Sequence, residues 1–348
     1  MSTLFVFNAP FSGGYQVIED APLQPNEVRL RTLFSGISAG TELTYWRGTN
    51  PYLTRRWDAD RRLFVDDAAP TFGYPVLNLG YEEVGEVIEV GSGVTDIPVG
   101  AHLFGTWGHR THHVAPVDYV RPRLMPPGLD PLCGIFSHLG AIALNGVHDA
   151  AISLGDTVAI FGMGALGQIV TQMAKRSGAK VIAVDLLDSR LEMAQRSGAD
   201  ITLNAGEGST AERIKALTNN MGADVCIEVS GSTLALNEAI RAAAYSARVV
   251  AMGFFQGEAK GLTLGAEFHH NRINLVCSQI SGVSPEHSYR WTKLRLWQTA
   301  IRLQAEGVLD LRSLVTHRAP FEQAESLYRL IDERPNEVLL GVLEFDSP

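Results

Sequence analysis

Gly162-Met163-Gly164-Ala165-Leu166-Gly167 is a G-x-G-x-x-G run. Before it, Thr157 to Phe161 reads as an apolar strand, and after it Leu166, Ile169, Val170, Met173 and Ala174 recur at helical spacing. In that context the run binds a pyrophosphate. Gly162 permits a tight turn, Gly164 lets backbone approach the anion, and Gly167 lets helix and strand pack closely; the helix start at Ala165 and Leu166 offers unpaired N–H groups. Asp185 lies 23 residues past Gly162, at the end of the next strand. A carboxylate there accepts hydrogen bonds from both adenosine ribose hydroxyls and repels a 2′-phosphate, so the spacing predicts NAD rather than NADP. Arg190 either bridges to an NADP phosphate or lies solvated over the adenine, and the acid at Asp185 favours the second. The competing reading is a glycine-rich turn followed by an Asp that caps the next helix.

The elements around this run divide the chain. Its 348 residues argue for two domains. Residues 1 to about 125 read as short strands broken by Gly and Pro: Val28 to Ile37, Gly85 to Val90, and His112 to Val120. From about residue 140 apolar strands alternate with amphipathic helices, at 157–161, 181–185, 201–204, 225–229, 248–252 and 274–279, as in a doubly wound parallel sheet. A helix near Trp291 to Glu306, a second from Glu322 to Asp332 and a strand from Val338 to Phe345 should return to the first domain. The expected fold class is therefore α/β, a β-rich catalytic domain plus a Rossmann domain, with boundaries at 1–135, 136–279 and 280–348.

Composition narrows the function classes. With 29 Lys and Arg against 38 Asp and Glu the formal charge is −9, which repels polyanions and argues against a nucleic-acid partner. No apolar window is long enough to span a membrane, and the N-terminus lacks the features of a signal peptide, so a cytoplasmic enzyme with a small-molecule substrate is expected. Cys133, Cys226 and Cys277 are too few and too far apart for a zinc knot or a disulfide scaffold.

Five further segments carry a resemblance: Ser35-Gly36-Ile37 with Gly40-Thr41-Glu42-Leu43; Gly80-Tyr81-Glu82-Glu83-Val84-Gly85-Glu86-Val87; the GMGALG turn; Glu228-Val229-Ser230-Gly231; and Val249-Val250-Ala251-Met252-Gly253. In order and spacing the chain resembles the medium-chain dehydrogenase/reductase superfamily, in its zinc-type alcohol and polyol dehydrogenase branch. The resemblance implies a discontinuous GroES-like domain, an inserted nicotinamide-binding domain contacted also at Ser230 and Gly253, catalysis in the cleft between them, and a homodimer or homotetramer. Such enzymes carry Cys in the first motif, His in the second, and Cys, Asp or Glu 24 residues before Gly162; here those positions are Ser38, Tyr81 and His138. A hydroxyl and a phenol are poor zinc ligands, and His138 with Glu82 supplies at most two good ones, so no metal is expected.

Without zinc, hydride transfer from a carbinol still needs its hydroxyl proton removed as the oxyanion develops. Tyr81 and His138 stand where ligands would be and are the leading candidates. Thr41 matches the family's relay hydroxyl, Glu82 its carboxylate near the metal, and Ser38 adds a hydrogen bond. The alternatives are that Tyr81 fills the space left by metal, His138 is an interior histidine, and Thr41 caps a turn. His109, His112 and His113 also lie close in sequence, but 112 and 113 point to opposite faces of a strand and cannot share an ion. Residues 47–62 interleave five arginines with Trp46, Tyr52 and Trp57, reading either as a clamp for a ring or sugar or as a solvated loop paired with Asp58, Asp60, Asp66 and Asp67. The leading function is an NAD-dependent dehydrogenase of a polyol, sugar or cyclic alcohol; a zinc-free enoyl or quinone reductase and a non-catalytic dinucleotide-binding protein are the alternatives.

Overall fold

A computed structural model describes residues 1–66 and 68–345. Asp67, one of the acids expected to pair with the arginine-rich loop, lies outside the described residues. The chain divides into two units, Met1–His138 with Val315–Pro348 and Leu139–Leu314.

The first unit is built on the strand Glu27–Ile37. It pairs antiparallel with Glu83–Val90, Gly341–Glu344 and His112–Pro116. His102–Gly105 and His317–Pro320 extend the sheet at its ends. Its alternating burial sends Val28 and Leu30 into one core with Val87, Leu103, Trp107 and Val120. Ile37 joins a second core with Phe5, Phe7, Leu43, Trp46, Tyr328 and Leu343. The expected strand from His112 to Val120 stops at Pro116; Val117–Val120 is a helical turn that buries Val117 and Val120. The helix Ala39–Trp46 leaves the end of Glu27–Ile37, so Ser38 is its N-cap and Thr41 lies in its first turn.

In the second unit six parallel strands take the order 201–204, 180–185, 157–161, 223–228, 243–251, 274–277. Numbered along the chain this is 3-2-1-4-5-6, the doubly wound dinucleotide-binding order, whose reversal falls beside the strand that precedes the glycine run. All six predicted strands are present, with 243–251 beginning earlier and 274–277 ending earlier than expected.

The domain boundary differs from the expected one. The second unit runs on to Leu314, because the helix Lys293–Ala305 buries Leu296, Ala300 and Ile301 there. A β-carbon on Gly140 would lie 2.7 Å from that of Ala300, and Gln172 holds Asp310 by backbone bonds of 2.7 and 3.0 Å. The chain returns to the first unit from Val315, with the strand His317–Pro320 and, as expected of them, the helix Ala324–Glu333 and the strand Gly341–Glu344.

Candidate active site

Four of the five residues expected to do chemistry meet at the N-terminal end of the helix Ala39–Trp46. The Ser38 hydroxyl is hydrogen-bonded to the Tyr81 phenol. Thr41 is a further hydrogen-bond partner of that phenol. The His138 ring packs on Tyr81 with centroids 4.8 Å apart. Burial, then the neighbouring Glu82 carboxyl, pushes the phenol well above its ordinary range, with Ser38 and Thr41 pulling the other way. Tyr81 therefore keeps its proton at neutral pH.

Glu82 is fully buried, and neither carboxylate oxygen has a hydrogen-bond partner. A β-carbon on Gly36 would lie 2.6 Å from its Oε2, so the glycine makes room for it. Burial, reinforced by the charges of Glu42 and Glu83, raises its pKa well above the carboxylate range.

Beneath the pair lies a buried polar network that the sequence did not reveal. Glu42 Oε1 accepts the Ser38 N–H at 2.8 Å, and its Oε2 meets His109 Nε2 at 2.8 Å and the Tyr328 hydroxyl. His109 Nδ1 meets the Ser35 hydroxyl at 2.7 Å, and that hydroxyl donates to Glu83 at 3.0 Å. Glu83 also accepts the Trp107 N–H at 2.8 Å. Burial alone would lower the His109 pKa, but the charge and hydrogen bond of Glu42 and the charge of Glu83 outweigh it and raise it. His109 also presses on Gly80, at φ +89°, where a β-carbon would meet its ring at 2.6 Å. The network thus reaches the backbone at Ser38 and at Gly80, the residue before Tyr81. Glu42 and Glu83 stand inside the motifs quoted above and so carried a signal; His109 sits in a loop, where spacing alone could not place it. His113 instead stacks on Trp107, and among the described residues no group of three or more His, Cys, Asp or Glu is arranged to hold a metal ion.

The glycine run of the second unit is built as its spacing predicts. Gly162 has φ +97°, and a β-carbon on Gly167 would lie 1.9 Å from the Gly162 carbonyl oxygen, so both must be glycine. A β-carbon on Gly164 would meet nothing, which leaves that backbone open to a ligand. The helix Ala165–Arg176 begins there, with the Gln168 N–H bonding back to Gly164 at 3.0 Å, so the N–H groups of Ala165, Leu166 and Gly167 form its unpaired first turn. Asp185 ends its strand and accepts N–H bonds from Met163 at 2.6 Å and Leu187 at 3.0 Å. Arg190 lies in the helix Asp188–Arg196, and its carbonyl accepts from Gln168 at 2.9 Å. Ser230 faces the turn, 2.7 Å from a β-carbon built on Gly162. Gly253 backs Gly231 so closely that a β-carbon would lie 2.2 Å from its nitrogen. These residues fit a dinucleotide: open backbone donors for the pyrophosphate and a carboxylate one strand away.

Comparison with known proteins agrees with both halves. The zinc-binding dehydrogenase family profile matches residues 165–296. A D-guloside 3-dehydrogenase of Escherichia coli (strain K12) is 34% identical over 346 residues, covering 97% of this chain and 98% of that protein. This chain belongs to the medium-chain dehydrogenase/reductase superfamily. An L-threonine 3-dehydrogenase of Symbiobacterium thermophilum is 28% identical, covering 74% of this chain and 78% of that protein. Among solved structures, 2R,3R-butanediol dehydrogenase from Bacillus subtilis superposes with a TM-score of 0.79 at 19% identity, covering 99% of each chain, and shares the fold. Membership makes the chain an oxidoreductase with a GroES-like and a Rossmann domain. No helix among the described residues is long and apolar enough to cross a membrane.

Proposed function

We propose that this protein is an NAD-dependent dehydrogenase that oxidises a secondary hydroxyl of a sugar or glycoside without a catalytic metal. The observation that carries the reading is the Ser38–Tyr81 hydroxyl pair with His138 against it, at the three positions where zinc relatives hold ligands. Zinc does not fit this donor set. Two of the three groups are hydroxyls bonded to one another, and the phenol is held far from ionisation. The D-guloside 3-dehydrogenase relative supports a sugar ring as substrate, and Asp185 supports NAD.

Bound nicotinamide would accept the hydride from the carbinol carbon. The chain's own residues handle the proton. Of the two hydrogens on the Ser38–Tyr81 pair one bonds within the pair, leaving the other for the substrate oxygen as it gains charge. His138 accepts the hydroxyl proton, since the buried phenol beside it keeps its own. In the reverse direction protonated His138 returns that proton while the phenol keeps its hydrogen bond to the substrate oxygen. A second reading is an enoyl or quinone reductase, in which hydride adds to a conjugated carbon and Tyr81 supplies the proton.

The pyrophosphate would lie on Gly162, Gly164, Ala165, Leu166 and Gly167, with Ser230 and Gly253 beside them and Asp185 and Arg190 toward the adenosine. By family resemblance we read the protein as a homodimer or homotetramer. The test is NADH absorbance against sugars, glycosides, polyols and enones. Turnover of sugar hydroxyls is expected; turnover of enones alone selects the reductase, and turnover of nothing selects a binding protein.

A further inference from the structure

From the helix that carries Ser38 and Thr41 a row of aromatic rings leads outward. Tyr45 lies one turn beyond Thr41 on the same helix face. Its ring is followed by Phe72 at 6.1 Å, then Tyr52 at 5.6 Å, Phe64 at 5.3 Å and Trp57 at 5.0 Å, centroid to centroid. Trp57 and Phe64 face each other across a hairpin whose strands, Arg56–Asp58 and Leu63–Val65, are only three residues long.

Two features separate this row from a small core. Phe72 is 46% exposed and Leu63 47%, and Tyr52, Trp57 and Phe64 each keep part of their surface in water. The stretch between Trp46 and Glu83 contains little regular structure beyond this hairpin and one 3-10 turn, and long excursions of that kind in compact domains are usually functional. Polar groups border the rings. The Arg55 guanidinium sits 5.4 Å over Phe64 and pairs with Asp66 at 2.5 Å, while Asp58 accepts the Arg61 N–H at 3.0 Å.

We propose that these rings form a sugar-binding subsite for the non-reacting ring of a glycoside whose oxidised ring lies at Ser38 and Tyr81. A pyranose has an apolar C–H face that packs on aromatic rings and an equatorial rim of hydroxyls that bond to arginine and carboxylate groups, and this surface offers both. Continuity with the helix bearing the hydroxyl pair fixes the occupant as the distal part of the same substrate. The proposal rests on the glycoside reading above.

The test compares a monosaccharide with a disaccharide carrying it, in wild type and in Trp57→Ala and Phe64→Ala. Wild type should prefer the disaccharide in kcat/KM, and each variant should lose that preference about tenfold, the size of one ring contact. An unaltered preference in both variants overturns the subsite. If wild type oxidises no sugar, the dehydrogenase reading fails, and binding then decides the subsite alone. Disaccharide should quench tryptophan fluorescence in wild type and not in Trp57→Phe, a variant that keeps the ring packing; no quench in wild type rejects it.

Discussion

His109 Nε2 lies 2.8 Å from Oε2 of Glu42, and both side chains are buried. Glu42 and Glu83 raise the His109 pKa against the effect of burial, and the other oxygen of Glu42 holds the Ser38 N–H. Removing the imidazole leaves the buried Glu42 carboxyl without that partner. His109→Ala should therefore lower the unfolding free energy by about 3–5 kcal/mol, whereas adding Glu42→Gln should cost much less than a second such loss. Urea denaturation of the two single variants and the double variant measures the coupling. Additive losses would show that the two side chains act separately.

Tyr81→Phe keeps the ring against His138 and removes only the hydroxyl. If the phenol stabilises the substrate oxygen, kcat should fall about 10²- to 10⁴-fold while the NADH dissociation constant stays at the wild-type value. Wild-type turnover would mean that Tyr81 only fills space. His138→Ala should show the same split between kcat and cofactor binding.

Metal dependence tests the proposed hydroxyl-pair mechanism against a zinc mechanism. Purified protein should contain well under one zinc per chain by elemental analysis, and dialysis against a chelator should leave turnover intact. Activity lost to chelator and restored by zinc would end the hydroxyl-pair mechanism.

The second unit was legible because its signals are local. Each strand is a short apolar run, each glycine of the turn has a steric reason, and Gly162 with Gly167 would clash at any other residue. The first unit was legible only in part. Ser38, Thr41, Tyr81 and His138 were singled out by their positions in or relative to the motifs and lie near one another, but His109 and Tyr328 reach Glu42 from 67 and 286 residues away, and no periodicity reports such pairings. The helix Lys293–Ala305 was assigned to the wrong unit because its amphipathic pattern states that one face is buried and not against what.

Asp185 has two tasks. Its oxygens hold the Met163 and Leu187 N–H groups, and the same carboxylate would repel a 2′-phosphate. Asp185→Ser removes the repulsion beside Arg190, so the ratio of NADPH to NADH dissociation constants should fall at least about tenfold. Fluorescence titration with both cofactors checks this. An unchanged ratio would place cofactor choice elsewhere.

Glu228 links the cofactor turn to pH. It is fully buried at the end of its strand, and its oxygens accept the N–H groups of Ser230 at 2.8 Å and Gly231 at 3.1 Å and the Ser230 hydroxyl. Burial pushes its pKa up to about 7 from 4.5, against these hydrogen bonds. Between those values the folded protein holds a proton that the unfolded chain has released, so stability is fully present below pH 4.5 and lost as pH rises to 7. The loss is roughly 3 kcal/mol. Glu228→Gln should flatten this part of the profile in urea denaturation at a series of pH values; an identical slope in the variant would assign the titration to another group. Because Ser230 abuts Gly162, ionisation of Glu228 should also alter how firmly its loop backs the turn. NADH affinity in wild type should then change through pH 7, and that change should be absent in Glu228→Gln.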